Sequence, residues 1–467
     1  MNATIKKVTT EANFLSLAGN MCISLFGFTG FALLVRSFPP DVFGRWVLYI
    51  ASAGLVDMFR FGITTTALIR FLSGAKDEEW QKLVGSFILI VLLATTGIAV
   101  IIWTCQFAFP VPIEHTGYDL FFKWYPLFMF INIPVNTAQV ILQAELKFDK
   151  ILLINSLYSI GFFFIILLNF LFFRMRMTEI VLAQIGVNLI ASILCISKGW
   201  DGLKYIGKAT RKTNKILLDF GKYTTFTLIG TNLLRSADTL IISLSPMGTA
   251  AVALYSIPMK LLELQQIPLR SFVATAFPKM SRESLLGKVQ EVRDLFYTYS
   301  GAMTYLFAIV SLITFVFADY LVMILGGHHY LGIDPVTGAS TAMIVRIFSL
   351  YGLLLPIERM TGIGLDSVNR PDRNFLKVLY MTITNVIGDL IAVFIFKSLE
   401  GVAIGSVIFT IFGVWIGTLF LDKEIGLEKK KIFSSGLDFY QKMYHSFRSI
   451  GKQGVLDYEN NEKNFLE

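Results

Sequence analysis

The chain has 467 residues, of which 54% are hydrophobic and 14% aromatic, with a net charge of +8 and a mean hydropathy of +0.63. Only 16% are charged, against about 25% in soluble domains, and no stretch between the apolar runs is long enough for a soluble catalytic core. The basic residues sit in loops between apolar segments, without the aromatic-interleaved stripe of a nucleic-acid surface, so nucleic acid is not expected as a partner.

A spanning helix needs about 20 mostly apolar residues, and the sequence predicts an all-α membrane protein of about twelve such spans. They cover 14–36, 42–70, 83–107, 124–146, 151–173, 179–199, 222–245, 248–278, 296–318, 341–363, 375–397 and 401–421. The polar lead MNATIKKVTTEANF reads as a short cytoplasmic segment, since the run after it is too long for a cleaved signal. Lys6, Lys7, Lys76, Lys82, Lys147, Lys150 and the Lys/Arg-rich stretch 198–222 fall on one side, with Lys279, Arg282, Arg370, Arg373 and Lys377. The other side has few, among them Arg36, Arg45, Lys123, Arg174, Arg176 and Lys397. The positive-inside rule therefore puts both termini in the cytoplasm and requires an even number of spans. Segments 108–123 and 319–340 read as outer loops, the second carrying His328 and His329. Adjacent side chains seldom converge on one ion, so no metal site is assigned there.

The basic stretch 198–222 divides the chain into matching halves. In an ungapped register 34–73 lies over 240–279, with Leu48-Tyr49 on Leu254-Tyr255 and Asp57 on Glu263. Six spans per half make the repeats parallel. The expected domains are 1–210, 211–421 and a tail, 422–467, in which Phe433, Leu437, Tyr440, Tyr444 and Phe447 recur at helical spacing among lysines. That pattern predicts an amphipathic helix on the anionic inner leaflet.

Charges recur three apart inside the spans: Asp57 with Arg60, Arg235 with Asp238, Lys260 with Glu263. Each ionised group near a span centre costs about 2.5–3.5 kcal/mol on insertion scales, so such groups turn inward, onto each other or onto a watery cavity. Residues three apart share a helix face. Arg270, Arg346, Glu358 beside Arg359, and Asp389 add to the set. Self-contained ion pairs explain the three i,i+3 pairs as well as a cavity does, but leave Arg270 and Arg346 without a local partner. Pro126 and Pro134, Pro258 and Pro268, and Pro356 predict broken or bent spans, which in transporters bend around a central site. Cys22, Cys105 and Cys195 read as buried apolar residues. Phosphate-binding loops, metal clusters and serine–histidine constellations are absent from the sequence, so no catalytic residue, metal or cofactor is assigned and the chain is not expected to be an enzyme.

Residues 31–71, with Arg36, Phe43-Gly44, Arg60-Phe61-Gly62 and Arg70, and 220–283, with Asp238, Tyr255, Pro268, Phe277-Pro278 and Ser281, resemble bacterial polysaccharide flippases. These belong to the multidrug/oligosaccharidyl-lipid/polysaccharide exporter superfamily. The resemblance implies a MATE-like fold, two pseudo-symmetric six-helix bundles forming a V around a central cavity, in the bacterial cytoplasmic membrane. It implies a polyprenyl-pyrophosphate-linked oligosaccharide as substrate, with a glycan polymerase or sugar transferases as pathway partners. Arg60, Arg235, Lys260, Arg270 and Arg346 are then the expected cavity residues. Asp57, Asp238, Glu263, Glu358 and Asp389 are expected to tune them or to hold a coupling Na+ or H+. Neutralising Arg60 or Arg235 is expected to abolish export without loss of protein. The rival readings are a cation-coupled multidrug exporter and a membrane glycan polymerase or ligase.

Overall fold

The computed structural model describes residues 23–72, 75, 77–219, 237–335, 337–428 and 430–442, without the side chains of residues 63, 271 and 274. Each predicted span coincides with a helix over its described residues; 14–36 is described only from residue 23 and 222–245 only from residue 237. Among the described residues, eight helices are long and apolar enough to cross a bilayer, and Asp119–Ile131 with Ile133–Ala144 makes a ninth, bent by 49°. The fourth predicted span is thus two helices hinged at Asn132, where Pro134 opens the second. A proline has no N–H to give the preceding turn, which is why the chain bends there. Pro258 and Pro268, by contrast, do not interrupt Gly248–Leu285, which runs as one helix of 38 residues.

Helix starts fall earlier than hydropathy places them. Asp77–Ala108 opens on Asp77, Glu78 and Glu79, acidic residues that favour a helix N-terminus but carry no apolar signal. The segments read as outer loops also hold short helices, Pro110–His115 and Ala318–Gly326, with His328 and His329 in a 3-10 turn.

Two compact units form. The first comprises Met1–Pro258, Asp319–Ala342 and Asp389–Val402, and the second Met259–Ala318, Met343–Gly388 and Ala403–Glu467. In the first, Phe87, Ile88 and Val91 pack on Ala67, Leu68 and Ile141, and Cys195 is buried with Ile154 and Ala191. The basic stretch after residue 198 is docked here. A Cβ on Gly85 would overlap the Tyr205 carbonyl, Trp80 meets Tyr205 edge-on at 5.3 Å, and Ser86 hydrogen-bonds Thr213.

The turns repeat along the chain. Leu146 and Asn369 take left-handed backbone after the fourth and tenth spans, and Arg174 and Lys397 do so after the fifth and eleventh. The interval is the same in both cases, 146 to 369 and 174 to 397. A π-helical turn closes each of those spans, at Asn169–Phe173 and Ile391–Ile395. Non-glycine residues adopt this backbone only where the surrounding structure requires it, so the recurrence marks matched halves independently of side-chain identity.

In the second unit, Met280, Phe296, Tyr297, Leu421 and Ile425 form a core that includes Ile432 of the tail. The tail helix, 430–442, packs by Ile432 and Gly436, while Phe433 and Leu437 stay exposed. Of the predicted stripe, Tyr440 joins the packed face by donating to the Ala302 carbonyl at 2.8 Å; Tyr444 and Phe447 lie outside the described residues. A Cβ on either Gly301 or Gly436 would overlap the other helix's backbone, a close approach that only small residues permit. Gly436→Leu is therefore expected to undock this helix, measured as several-fold faster tryptic cleavage at the exposed Lys430 and Lys431. Leu437→Ala, on the outward face, is expected to leave cleavage unchanged.

Candidate functional site

The mid-span charges fall into three groups. The first lies in the first unit, where Arg60 and Asp57 share a face of Pro40–Leu72 and form an ion pair. The Arg60 guanidinium donates through Nε to Thr95 Oγ1 at 3.0 Å and through Nη2 to the Met129 carbonyl at 2.8 Å. Met129 lies in the last turn of Asp119–Ile131, where carbonyls lack helical donors. The arginine thus ties three helices together, and its carbon sits 4.8 Å from the centroid of the Phe61 ring. The Asp57 carboxylate also accepts from Tyr125, at 2.9 Å. Exposure separates the pair: the Arg60 side chain is 0% exposed and that of Asp57 29%. The accessible charge is acidic.

The second group is a carboxyl pair in the same unit. Asp389, fully buried, shares a hydrogen bond with buried Asp238, and Tyr255 donates to Asp238 Oδ2 at 2.7 Å. Two carboxyls side by side repel when both are charged, so such a pair favours a proton, a cation or a basic side chain between them. Arg235, read from the sequence as the partner of Asp238, lies outside the described residues. Asn385, buried one turn before Asp389 on the same helix, adds another oxygen at that level.

The third group lies in the second unit. Lys260 and Glu263 pair at 2.7 Å with side chains 27% and 47% exposed. Arg270, further along the same helix, is exposed, and Arg346 is half-buried. Deeper in the unit, Lys377 pairs with Glu358 at 2.8 Å and also donates to the Glu358 carbonyl at 2.9 Å. Arg359, the sequence neighbour, is exposed and stands 3.6 Å from the same carboxylate.

Sequence spacing finds Asp57–Arg60 and Lys260–Glu263, because partners three apart are visible in one dimension. It misses Thr95, Tyr125 and Tyr255, whose neutral hydroxyls carry no signal at a distance. Lys377 reads as an inner-loop charge and is in fact buried six residues into Pro371–Leu390. What does point to it is the acid at 358, which needs a partner on some neighbouring helix.

The family described as "Polysaccharide biosynthesis protein" matches residues 11–284. Among solved structures, the chain is similar to the lipid II flippase MurJ in an inward closed conformation, at 15% identity over 93% of each chain, TM-score 0.67. It is also similar to an inward-facing multidrug resistance MATE family transporter of the MOP superfamily, at 13% identity over 88% of this chain and 98% of that one, TM-score 0.71. A MOP superfamily transporter from Pyrococcus furiosus, described by a reversed polarity of its binding pocket, matches at 14% identity over 90% and 96%, TM-score 0.60. No curated protein matches the chain. These likenesses show a MATE-like fold.

Proposed function

We propose, from the premise that this chain belongs to the polysaccharide biosynthesis protein family, that it flips a polyprenyl-pyrophosphate-linked oligosaccharide across the bacterial cytoplasmic membrane. The observation that carries this reading is the pair of basic residues on Gly248–Leu285, a helix of 38 residues that holds Lys260, paired with Glu263, partly exposed and Arg270 exposed. Hydrocarbon does not accept such groups, and a pyrophosphate head group matches them. The fold shared with a lipid II flippase agrees with this substrate class.

The Asp238–Asp389 pair with Tyr255 is the proposed seat of the coupling ion, a proton or Na+. Outward movement of an anionic head group also gains about 2.3 kcal/mol per charge at 100 mV.

The test is translocation of a fluorescently labelled polyprenyl-pyrophosphate oligosaccharide in reconstituted vesicles, read by quenching from outside. Lys260→Ala with Arg270→Ala is expected to cut the rate at least several-fold while leaving the amount of reconstituted protein unchanged. Asp389→Asn is expected to remove the dependence of rate on the ion gradient. A cation-coupled exporter is the second reading, favoured by the accessible acidic oxygens of Asp57 and Glu263. It predicts uptake of ethidium instead of lipid-linked glycan in the same vesicles.

A further inference from the structure

The basic stretch that divides the matched halves is docked on the first unit as far as residue 219, and it holds its charge outward. Residues 203–219 carry five basic residues, Lys204, Lys208, Arg211, Lys212 and Lys215, against one acid, Asp219. All five are exposed. The contacts that seat the segment are neutral: Ser86 bonds Thr213, Thr210 bonds Thr213 at 2.8 Å, and the Trp80 ring meets Tyr205. Thr213 and Leu217, one turn apart in helix 211–219, are buried, with Leu217 among Leu83, Val84 and Phe87. Ile216 and Leu218 join the basic residues on the exposed side.

This arrangement is unfavourable in plain water. Arg211 and Lys212 sit in the first turn of their helix, where the dipole opposes cations. Arg211 and Lys215, four apart, repel along one face. Glu78, the acid within electrostatic reach of Lys208, is already paired with Lys82 at 2.8 Å. An anionic surface reverses each of these terms, and one is close by. The next predicted span opens at residue 222, so at most about 11 Å of chain separates Asp219 from it. Trp80, Tyr205 and Trp200, the last 5.2 Å from the Lys150 amine, are residues of the kind that settle at head-group depth. In the orientation given by the Lys/Arg asymmetry, this end of the unit is cytoplasmic.

We infer that residues 203–219 form a docking surface for anionic phospholipid head groups of the inner leaflet, and that these lipids hold the segment against the first unit. Lys and Arg donate to the phosphate oxygens, and Ile216 with Leu218 enters the acyl boundary beside them. Polybasic segments next to a span are drawn to such a leaflet. The neutral contacts fix where the segment sits, and the leaflet offsets the repulsion among its cations. The inference rests on the orientation of the chain in the membrane and is independent of what the chain transports.

Gly207 offers a reporter. It is exposed between Lys204 and Lys208, and a Cβ there meets nothing within 4 Å. The full chain with Gly207→Cys is placed in nanodiscs of phosphatidylcholine, alone or mixed with phosphatidylglycerol, and labelled with a neutral polyethylene glycol maleimide. Labelling above that of the unsubstituted chain is expected to be at least several-fold slower with phosphatidylglycerol, and high salt is expected to restore it. Lys208→Gln, Arg211→Gln, Lys212→Gln and Lys215→Gln together are expected to abolish the lipid effect. They leave Thr213 and Leu217 in place, so the melt in phosphatidylcholine alone is expected to match that of the parent. If the fourfold variant fails to reach the membrane, Arg211→Gln with Lys212→Gln is read the same way and is expected to weaken the effect. Lys430→Gln with Lys431→Gln, in the tail, is expected to leave it unchanged. Equal labelling in the two lipid mixtures overturns the inference, as does protection that survives in the linker variants or disappears in the tail variant. Equal protection by inorganic phosphate in phosphatidylcholine discs overturns it in favour of a soluble anion.

Discussion

Arg60→Gln is expected to destabilise the protein by about 1–3 kcal/mol, the usual cost of leaving buried hydrogen-bond partners unsatisfied, since the Asp57 carboxylate left behind is partly exposed. The change leaves the Asp57 carboxylate with Tyr125 alone and strips donors from Thr95 and the Met129 carbonyl. In detergent it should appear as a melting temperature lower by several degrees, and in cells as less protein in the membrane. Asp57→Asn combined with Arg60→Gln is expected to recover part of the loss, because no unpaired charge remains. The sequence leads to a different expectation, lost export at unchanged protein level, and the measurement separates the two. A stable Arg60→Gln protein that no longer translocates glycan makes the guanidinium a substrate ligand. An unstable one makes it the brace its three bonds describe. The exposed Lys260 and Arg270 are where loss of transport without loss of protein is expected.

Lys377→Met is expected to be more damaging, about 3–5 kcal/mol, because Glu358 is left charged in a site where the two side chains are 2% and 8% exposed. Glu358→Gln with Lys377→Met is expected to be more stable than the lysine variant alone, since a buried pair removed as a unit is often close to neutral. Thermal melts of the wild type, both single variants and the double variant give the coupling. The same four proteins decide whether Glu358 carries a coupling ion. If the stable double variant still responds to the ion gradient, Glu358 serves structure, and the coupling assignment narrows to the Asp238–Asp389 pair.

The fold was largely legible because hydrocarbon imposes one rule along the whole chain. Runs of about 20 apolar residues mark helices whatever they later pack against. The breaks were less so: Pro134 hinges a span at Asn132, while Pro258 and Pro268 sit inside an unbroken helix. A proline only removes one backbone bond, and neighbouring helices determine whether the chain bends there. For the charged groups, pairing inside one helix was visible as spacing, as with Lys260 and Glu263. Pairing between helices, as with Glu358 and Lys377, depends on which faces meet, and spacing carries none of that. The packed face of the tail was hidden for the same reason, while Phe433 and Leu437 of the predicted stripe stay exposed. Its aromatic side chains suggested a lipid-facing helix, but the contact that seats it is Gly436 on Gly301, two residues without side chains to read.

The evenly spaced left-handed turns have a practical consequence. Segments 146–174 and 369–397 are of equal length, each opening on one such residue and closing on another after a π-helical turn. They are therefore natural cassettes for domain exchange: a chimera carrying one segment in both places would keep its loop geometry while making the two hairpins identical. Such a pseudo-duplicated protein would isolate what the sequence differences between the two segments contribute.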